Sequence, residues 1–197
     1  NVQFGVHDFT TLYTTLPHSE IAAAMRGIVT EVFTRHVGKC LKVTSTGHEW
    51  VAVTAGGGLP RDSAQAKHYD ITRVMRDVDF ILANIFVTLG DDVYRQILGV
   101  PMGFSCSPML AVLMLAFFEV RFVRSVVQRA GQADGTQIET PEGTCVVTPP
   151  VRVRLRRLAV RLACCCRAID DVLMLDLTAS VRQWVLGRMY PPSLELK

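Results

Sequence analysis

Between Ile97 and Phe118 the chain carries no charged residue. A run of that length belongs either in lipid or in the middle of a fold. Pro101, Gly103 and Pro108 break its first half, and the flanking Arg95 and Glu119 form no anchoring pattern. The run therefore reads as a loop feeding a helix over about Pro108–Gln128. That helix is apolar nearly all round at its start, which marks it as central rather than peripheral or transmembrane. No membrane partner is expected. With 197 residues, 49% of them apolar, the chain can bury a real core around this helix.

The remaining elements arrange themselves around that centre. Val2 to Phe9 reads as a buried strand ending at Asp8. Pro17-His18-Ser19-Glu20 opens a helix with an acidic first turn, and Ile21, Met25, Ile28, Val32 and Val37 carry its period to Gly38. Leu41 to Thr54 reads as a hairpin turned at Thr46-Gly47, followed by a loop at Gly56-Gly57-Gly58 and Pro60. Asp70 can cap a second helix whose apolar face runs from Ile71 to Phe86 and which Gly90 ends. Ala130 to Pro150 is polar and reads as an exposed insertion. Val151 to Leu175 alternates as strands do, with Asp170-Asp171 at or near a hairpin turn, and Thr178 to Gly187 is a short helix. The expected fold class is α+β, an antiparallel sheet with helices on one side.

Net charge is only +3 and announces no nucleic-acid partner. The arginines are uneven, however: Arg152, Arg154, Arg156, Arg157, Arg161 and Arg167 crowd one segment. Such a cluster suits a phosphate backbone, although charge alone favours a solvated face. Six cysteines include the run Cys164-Cys165-Cys166, with no Cys-x-x-Cys pair. Small reduced thiols in an intracellular compartment are the expectation. The chain begins at Asn1 without a secretory signal and reads as a piece of a longer protein.

Acidic residues supply the chemistry. Asp8 closes an apolar strand, and Asp170-Asp171 sits inside Arg167-Ala168-Ile169-Asp170-Asp171-Val172-Leu173-Met174-Leu175. Each could be an ordinary turn residue. Adjacent carboxylates between apolar strands nonetheless repel unless a cation lies between them. Magnesium takes oxygen ligands, and two divalent ions can hold an attacking hydroxyl and a leaving pyrophosphate in line. Gly90-Asp91-Asp92 is a second acidic pair, but it lacks an apolar strand before it and reads as a solvated helix-to-strand turn.

Three motifs stand in order: Asp8-Phe9-Thr10-Thr11-Leu12-Tyr13-Thr14-Thr15-Leu16-Pro17, then Gln96 through Gly103-Phe104-Ser105-Cys106-Ser107-Pro108, then Ala168-Ile169-Asp170-Asp171. Together they resemble the A, B and C motifs of reverse transcriptases. The string Tyr94-Arg95-Gln96-x-x-Gly99-x-Pro101-Met102-Gly103, with Glu119 and Tyr190-Pro191-Pro192-Ser193-Leu194-Glu195-Leu196, is similar to the Penelope-like element branch, kin to telomerase reverse transcriptase. Telomerases usually carry Gln where Met102 stands, which favours the Penelope-like branch.

The resemblance implies a palm, part of a right-hand polymerase, performing RNA-directed DNA synthesis for a retroelement. Asp8, Asp170 and Asp171 would be catalytic and hold two Mg²⁺ ions, with Mn²⁺ as a substitute. Tyr13 would gate the sugar of the incoming deoxynucleotide. Gly103, Ser107 and Pro108 would approach nucleotide and template. Arg152, Arg154, Arg156 and Arg157 are the candidate nucleic-acid contacts. The implied partners are an RNA or DNA template with its primer and dNTPs, and the implied location is nuclear. Fingers strands would precede this palm-centred piece, residues 1–197, and a thumb would follow it.

One position departs from the family pattern. Ala168 stands where the family has an aromatic two residues before the first Asp of motif C. That departure keeps open a catalytically silent, nucleic-acid-binding derivative, and a telomerase-like enzyme remains the other alternative.

Overall fold

A computed structural model describes residues 4–168 and 171–194. The chain divides into two compact units, Asn1–Leu16 with Met102–Lys197, and Pro17–Pro101.

The first unit is built on a three-stranded antiparallel sheet of β1 (Phe4–Asp8), β10 (Asp171–Leu175) and β9 (Cys166–Ala168), in the order β1-β10-β9. Val172 and Met174 face the interior of the unit and are buried. On the other face, Phe4, Val6 and Asp8 of β1 line up with Leu175, Leu173 and Asp171 of β10. That face is open, with Phe4 69% and Val6 60% exposed. The expected buried strand is thus an edge strand with only one covered face. The sequence misled because its large apolar residues, Phe4 and Val6, lie on the open face while Gly5 and His7 face inward.

Beneath the covered face lies α4 (Ser107–Ala130), opened by Pro108 in its first turn. Leu110, Ala111, Met114, Leu115, Phe122 and Val126 are among its buried side chains. Each large one contributes about 1.5–3 kcal/mol on burial. No helix among the described residues is long and apolar enough to cross a membrane.

Against α4 packs α5 (Pro149–Ala163). Here the structure corrects the expectation of strands over residues 151–163, while the later part of that stretch does form strands, β9 and β10. Val151, Leu155, Ala159 and Leu162 are buried at helical spacing, while Val153 and Val160 are exposed. The Val-Arg alternation imitates a strand, but arginine is a good helix former and Pro149-Pro150 suits a helix start. The segment expected as an exposed insertion is a hairpin, β7 (Gln137–Thr140) and β8 (Gly143–Val146), with Ile138, Thr140 and Val147 buried. The unit is completed by α1 (Leu12–Thr15) and by α6 (Ala179–Met189), where the Thr178 hydroxyl accepts from the Val181 N–H at 3.4 Å.

The second unit holds α2 (His18–Thr34), the sheet β3-β2-β4 (Gly47–Ala52, Lys39–Thr44, Ala66–Tyr69), α3 (Ile71–Ala83) and the hairpin β5 (Phe86–Leu89) with β6 (Asp92–Arg95). The Asp70 carboxylate caps α3, accepting from the Arg73 N–H at 2.7 Å. This helix ends at Ala83, short of the expected Gly90, because Phe86–Leu89 pairs with β6 instead. Gly90 takes φ 62 at the first position of the two-residue turn, a conformation glycine adopts without penalty. Gly90-Asp91-Asp92 is thus an exposed turn, as expected, but one between strands.

Candidate active site

Asp8 ends β1 and Asp171 begins β10, and the antiparallel register sets them directly opposite one another. Both are exposed. Residues so paired hold their Cβ atoms about 4.5–5.5 Å apart, and like charges there oppose the pairing. Two carboxylates at that spacing are hard oxygen donors of the kind a divalent cation bridges. The first acid of the doublet, Asp170, lies outside the described residues. Among the described residues no group of three or more His, Cys, Asp or Glu converges. Ala168 pairs with Asp171 on the other side, so β9 offers a methyl beside the carboxylates.

The chain leaves β1 through a strained residue. Thr11 has φ 55 and ψ 38, a left-handed conformation that is uncommon for a β-branched side chain. Its carbonyl accepts hydrogen bonds from the N–H and the hydroxyl of both Thr14 and Thr15. This reversal folds α1 back at the end of β1 and places the half-buried Tyr13 five residues beyond Asp8. Sequence reasoning had no signal for it, since threonine in the left-handed region has no pattern of its own.

The middle motif frames the start of α4. Gly103 has φ 92 and is exposed, and a Cβ built there would meet nothing within 4 Å. Its glycine requirement is therefore backbone conformation, with open space above it. Ser107 is fully buried, and its hydroxyl has no hydrogen-bond partner. Pro108 is exposed in the helix's first turn.

The arginine cluster separates into different roles. Arg152 donates to the carbonyls of Ala130 and Gln132 and pairs with Asp134 at 2.9 Å, so it clamps the base of the β7–β8 hairpin. Arg161 pairs with Asp176 at 3.2 Å. Arg154, Arg156 and Arg157 project from α5 into solvent. They stand on a helix laid against α4, whereas Asp8 and Asp171 stand on the open face of the sheet. The structure does not bring the two sets into one cluster.

Arg167 is a further exception, with its side chain 8% exposed. Its Nε donates to Glu119 Oε1 of α4 at 2.5 Å, and Nη2 donates to the Val112 carbonyl at 3.0 Å. The Tyr190 hydroxyl donates to the same Glu119 oxygen at 2.8 Å. Burial, and then the Glu119 carboxylate beside it, push the Tyr190 phenol far above its ordinary range, so it remains a donor. The Tyr190 ring meets Phe9 edge to face, with centroids 4.8 Å apart and planes at 81°. In the sequence Arg167 looked like one more basic residue, and the isolated Glu119 ending the uncharged run was the available hint.

No family model and no curated protein sequence matches the chain significantly. A solved structure of telomerase from Candida albicans, in complex with a TWJ fragment of telomeric RNA, is similar in fold. The TM-score is 0.54 over 95% of this chain, at 12% sequence identity. This chain spans 24% of that protein's length. The likeness is one of fold, a mixed α+β arrangement consistent with a polymerase.

Proposed function

We propose that this chain is the palm-centred part of an RNA-directed DNA polymerase of a retroelement, of the Penelope-like branch. The observation that carries the reading is the register that opposes Asp8 to Asp171 on an exposed sheet face. The sequence motifs nominate these acids from opposite ends of the chain. Fold likeness to a telomerase supports the broader reading of a reverse-transcriptase-like nucleotidyltransferase that binds nucleic acid.

In this reading Asp8 and Asp171, joined by Asp170, hold two Mg²⁺ ions, for which Mn²⁺ can substitute. When bound, such ions supply charge stabilisation for the attacking 3′-oxygen and the pyrophosphate leaving group. The protein's own residues do the positioning. Asp8 and Asp171 fix the reacting end over the sheet edge. Tyr13 takes the role of a sugar gate, which would exclude a 2′-hydroxyl and favour deoxynucleotides. Gly103 leaves room for nucleotide and template, and Arg154, Arg156 and Arg157 offer phosphate contacts away from the carboxylates. The partners are a template with its primer and dNTPs, and the place of action is the nucleus.

One observation favours a second reading, a silent nucleic-acid-binding derivative. Ala168, beside Asp171, offers no ring against which a primer end could pack. Primer extension separates the two readings. A polypeptide joining this chain to fingers and thumb regions should add dNTPs to a primer on an RNA template in a Mg²⁺-dependent reaction. Asp8→Ala and Asp170→Ala should each abolish it. Template binding without extension would leave the silent reading standing.

A further inference from the structure

The two strands that carry the carboxylates are tied to a single oxygen atom. Phe9 follows Asp8 directly and is 3% exposed, and its ring packs on Tyr190, itself 6% exposed. Tyr190 donates its hydroxyl proton to Glu119 Oε1. Arg167 donates to that same oxygen from β9, where it lies opposite Val172, the residue after Asp171. Arg167 is also anchored to the backbone of α4 at Val112. Each acid-bearing strand is therefore held, within one residue of its acid, by a chain of contacts ending on Glu119.

We infer that Glu119, Arg167 and Tyr190 are positioning residues that set the separation of Asp8 and Asp171 for a divalent cation. This rests on the polymerase reading and deepens it. Opposed carboxylates push their strands apart when no cation neutralises them. The shared oxygen resists that displacement, because a part-buried charge-assisted bond with two donors on one oxygen tolerates little movement before its geometry is lost. A network serving only the core would set stability. This one also sets the cation's affinity, as the outer partners of metal ligands do.

The arms of the network can be loosened gently. Tyr190→Phe keeps the ring against Phe9 and removes only the hydroxyl. A cavity of about 330 Å³ borders Glu119, Arg167 and Tyr190, so water can reach the vacated oxygen. Phe9→Leu loosens the other end of the same arm without touching Glu119.

Mn²⁺ binding followed by electron paramagnetic resonance on the 197-residue chain tests the inference. Wild type should bind Mn²⁺ saturably, and Asp8→Asn should abolish binding. Tyr190→Phe and Phe9→Leu, each folded by circular dichroism, should weaken binding about 10-fold. Each should also change the line shape of the bound ion, a signature that a smaller folded fraction does not produce. The double variant should be little weaker than the worse single variant, because the two changes lie on one path. Unchanged affinity and line shape in either folded single variant would overturn the inference. Should Tyr190→Phe not fold, Phe9→Leu decides the matter alone. Absent wild-type binding, or binding that survives Asp8→Asn, would sink the polymerase reading itself and this inference with it. That failure is distinguishable because it shows without any change at Tyr190 or Phe9.

Discussion

Asp8 stands directly across the β1–β10 ladder from Asp171, at the end of a strip that is otherwise Phe4, Val6, Leu173 and Leu175. An apolar surface that closes on two facing negative charges is poorly suited to be a free edge and well suited to hold a cation. The arrangement makes metal and stability opposing demands on the same residue.

Asp8→Asn removes one of the facing charges. Without divalent ions the variant should be more stable than wild type by about 0.2–1 kcal/mol in urea denaturation. With Mn²⁺ at about 100 times its dissociation constant, wild type should gain about 2.7 kcal/mol and the variant nothing, so the order inverts. Parallel gains in both proteins would place the ion elsewhere.

Thr11 holds φ 55 between Asp8 and Tyr13. An L-residue in that region costs roughly 1–2 kcal/mol, and glycine returns about 0.5–1 kcal/mol of that as chain entropy. Thr11→Gly should therefore be neutral or stabilising by up to about 1.5 kcal/mol. A urea midpoint corresponding to a loss above about 1 kcal/mol would show that the Thr11 hydroxyl, which donates to the Thr10 carbonyl at 2.7 Å, matters more than its backbone angle.

In the second unit, hydrogen bonds from the Arg73 guanidinium, and then from the His68 N–H, hold the Asp62 carboxyl down at about 2, from 3.8. The folded value lies below the unfolded one. Its stabilising contribution is therefore present above about pH 4 and is lost as pH falls toward 2. Stability measured from about pH 5 to about pH 2 should fall more steeply in wild type than in Asp62→Asn. Superimposable slopes would mean that the pairing does not persist in solution.

On α5, replacing Arg154, Arg156 and Arg157 together with Ala should weaken binding to a template–primer duplex. If all three contact phosphates, the slope of log affinity against log salt should drop by about 2–3. Mn²⁺ affinity should not change, since these side chains lie on a different face from the carboxylates. An unaltered salt slope would return the trio to a solvated helix face.

Much of the fold could be read from the sequence where local signals and burial agree. The α4 span, the Asp70 cap and the hairpin before Gly56 followed from uncharged length, a capping carboxylate and turn chemistry. Reading failed where one pattern serves two structures. Val151-Arg152-Val153-Arg154-Leu155 alternates like a strand, yet only the helical spacing Val151, Leu155, Ala159, Leu162 is buried. The same limit held at the site. Motif order nominated Asp8, Asp170 and Asp171, but the register that opposes Asp8 to Asp171 is a long-range property that no window contains. Arg167 read as surface charge because its partner Glu119 comes from another element, and Arg152 because its partners are mostly backbone carbonyls.

That last residue has a consequence for how the chain tolerates change. By gripping the carbonyls of Ala130 and Gln132 from the first turn of α5, Arg152 fastens the two ends of the β7–β8 excursion to each other. What lies between is a closed loop hung from a locked base. The loop is also fastened along its length, because Glu139 pairs with Arg188 of α6 and Pro141 and Glu142 border Leu155, Leu177 and Val181, so a change of length at its tip should be felt by α5 and α6 while the locked base keeps its two ends together.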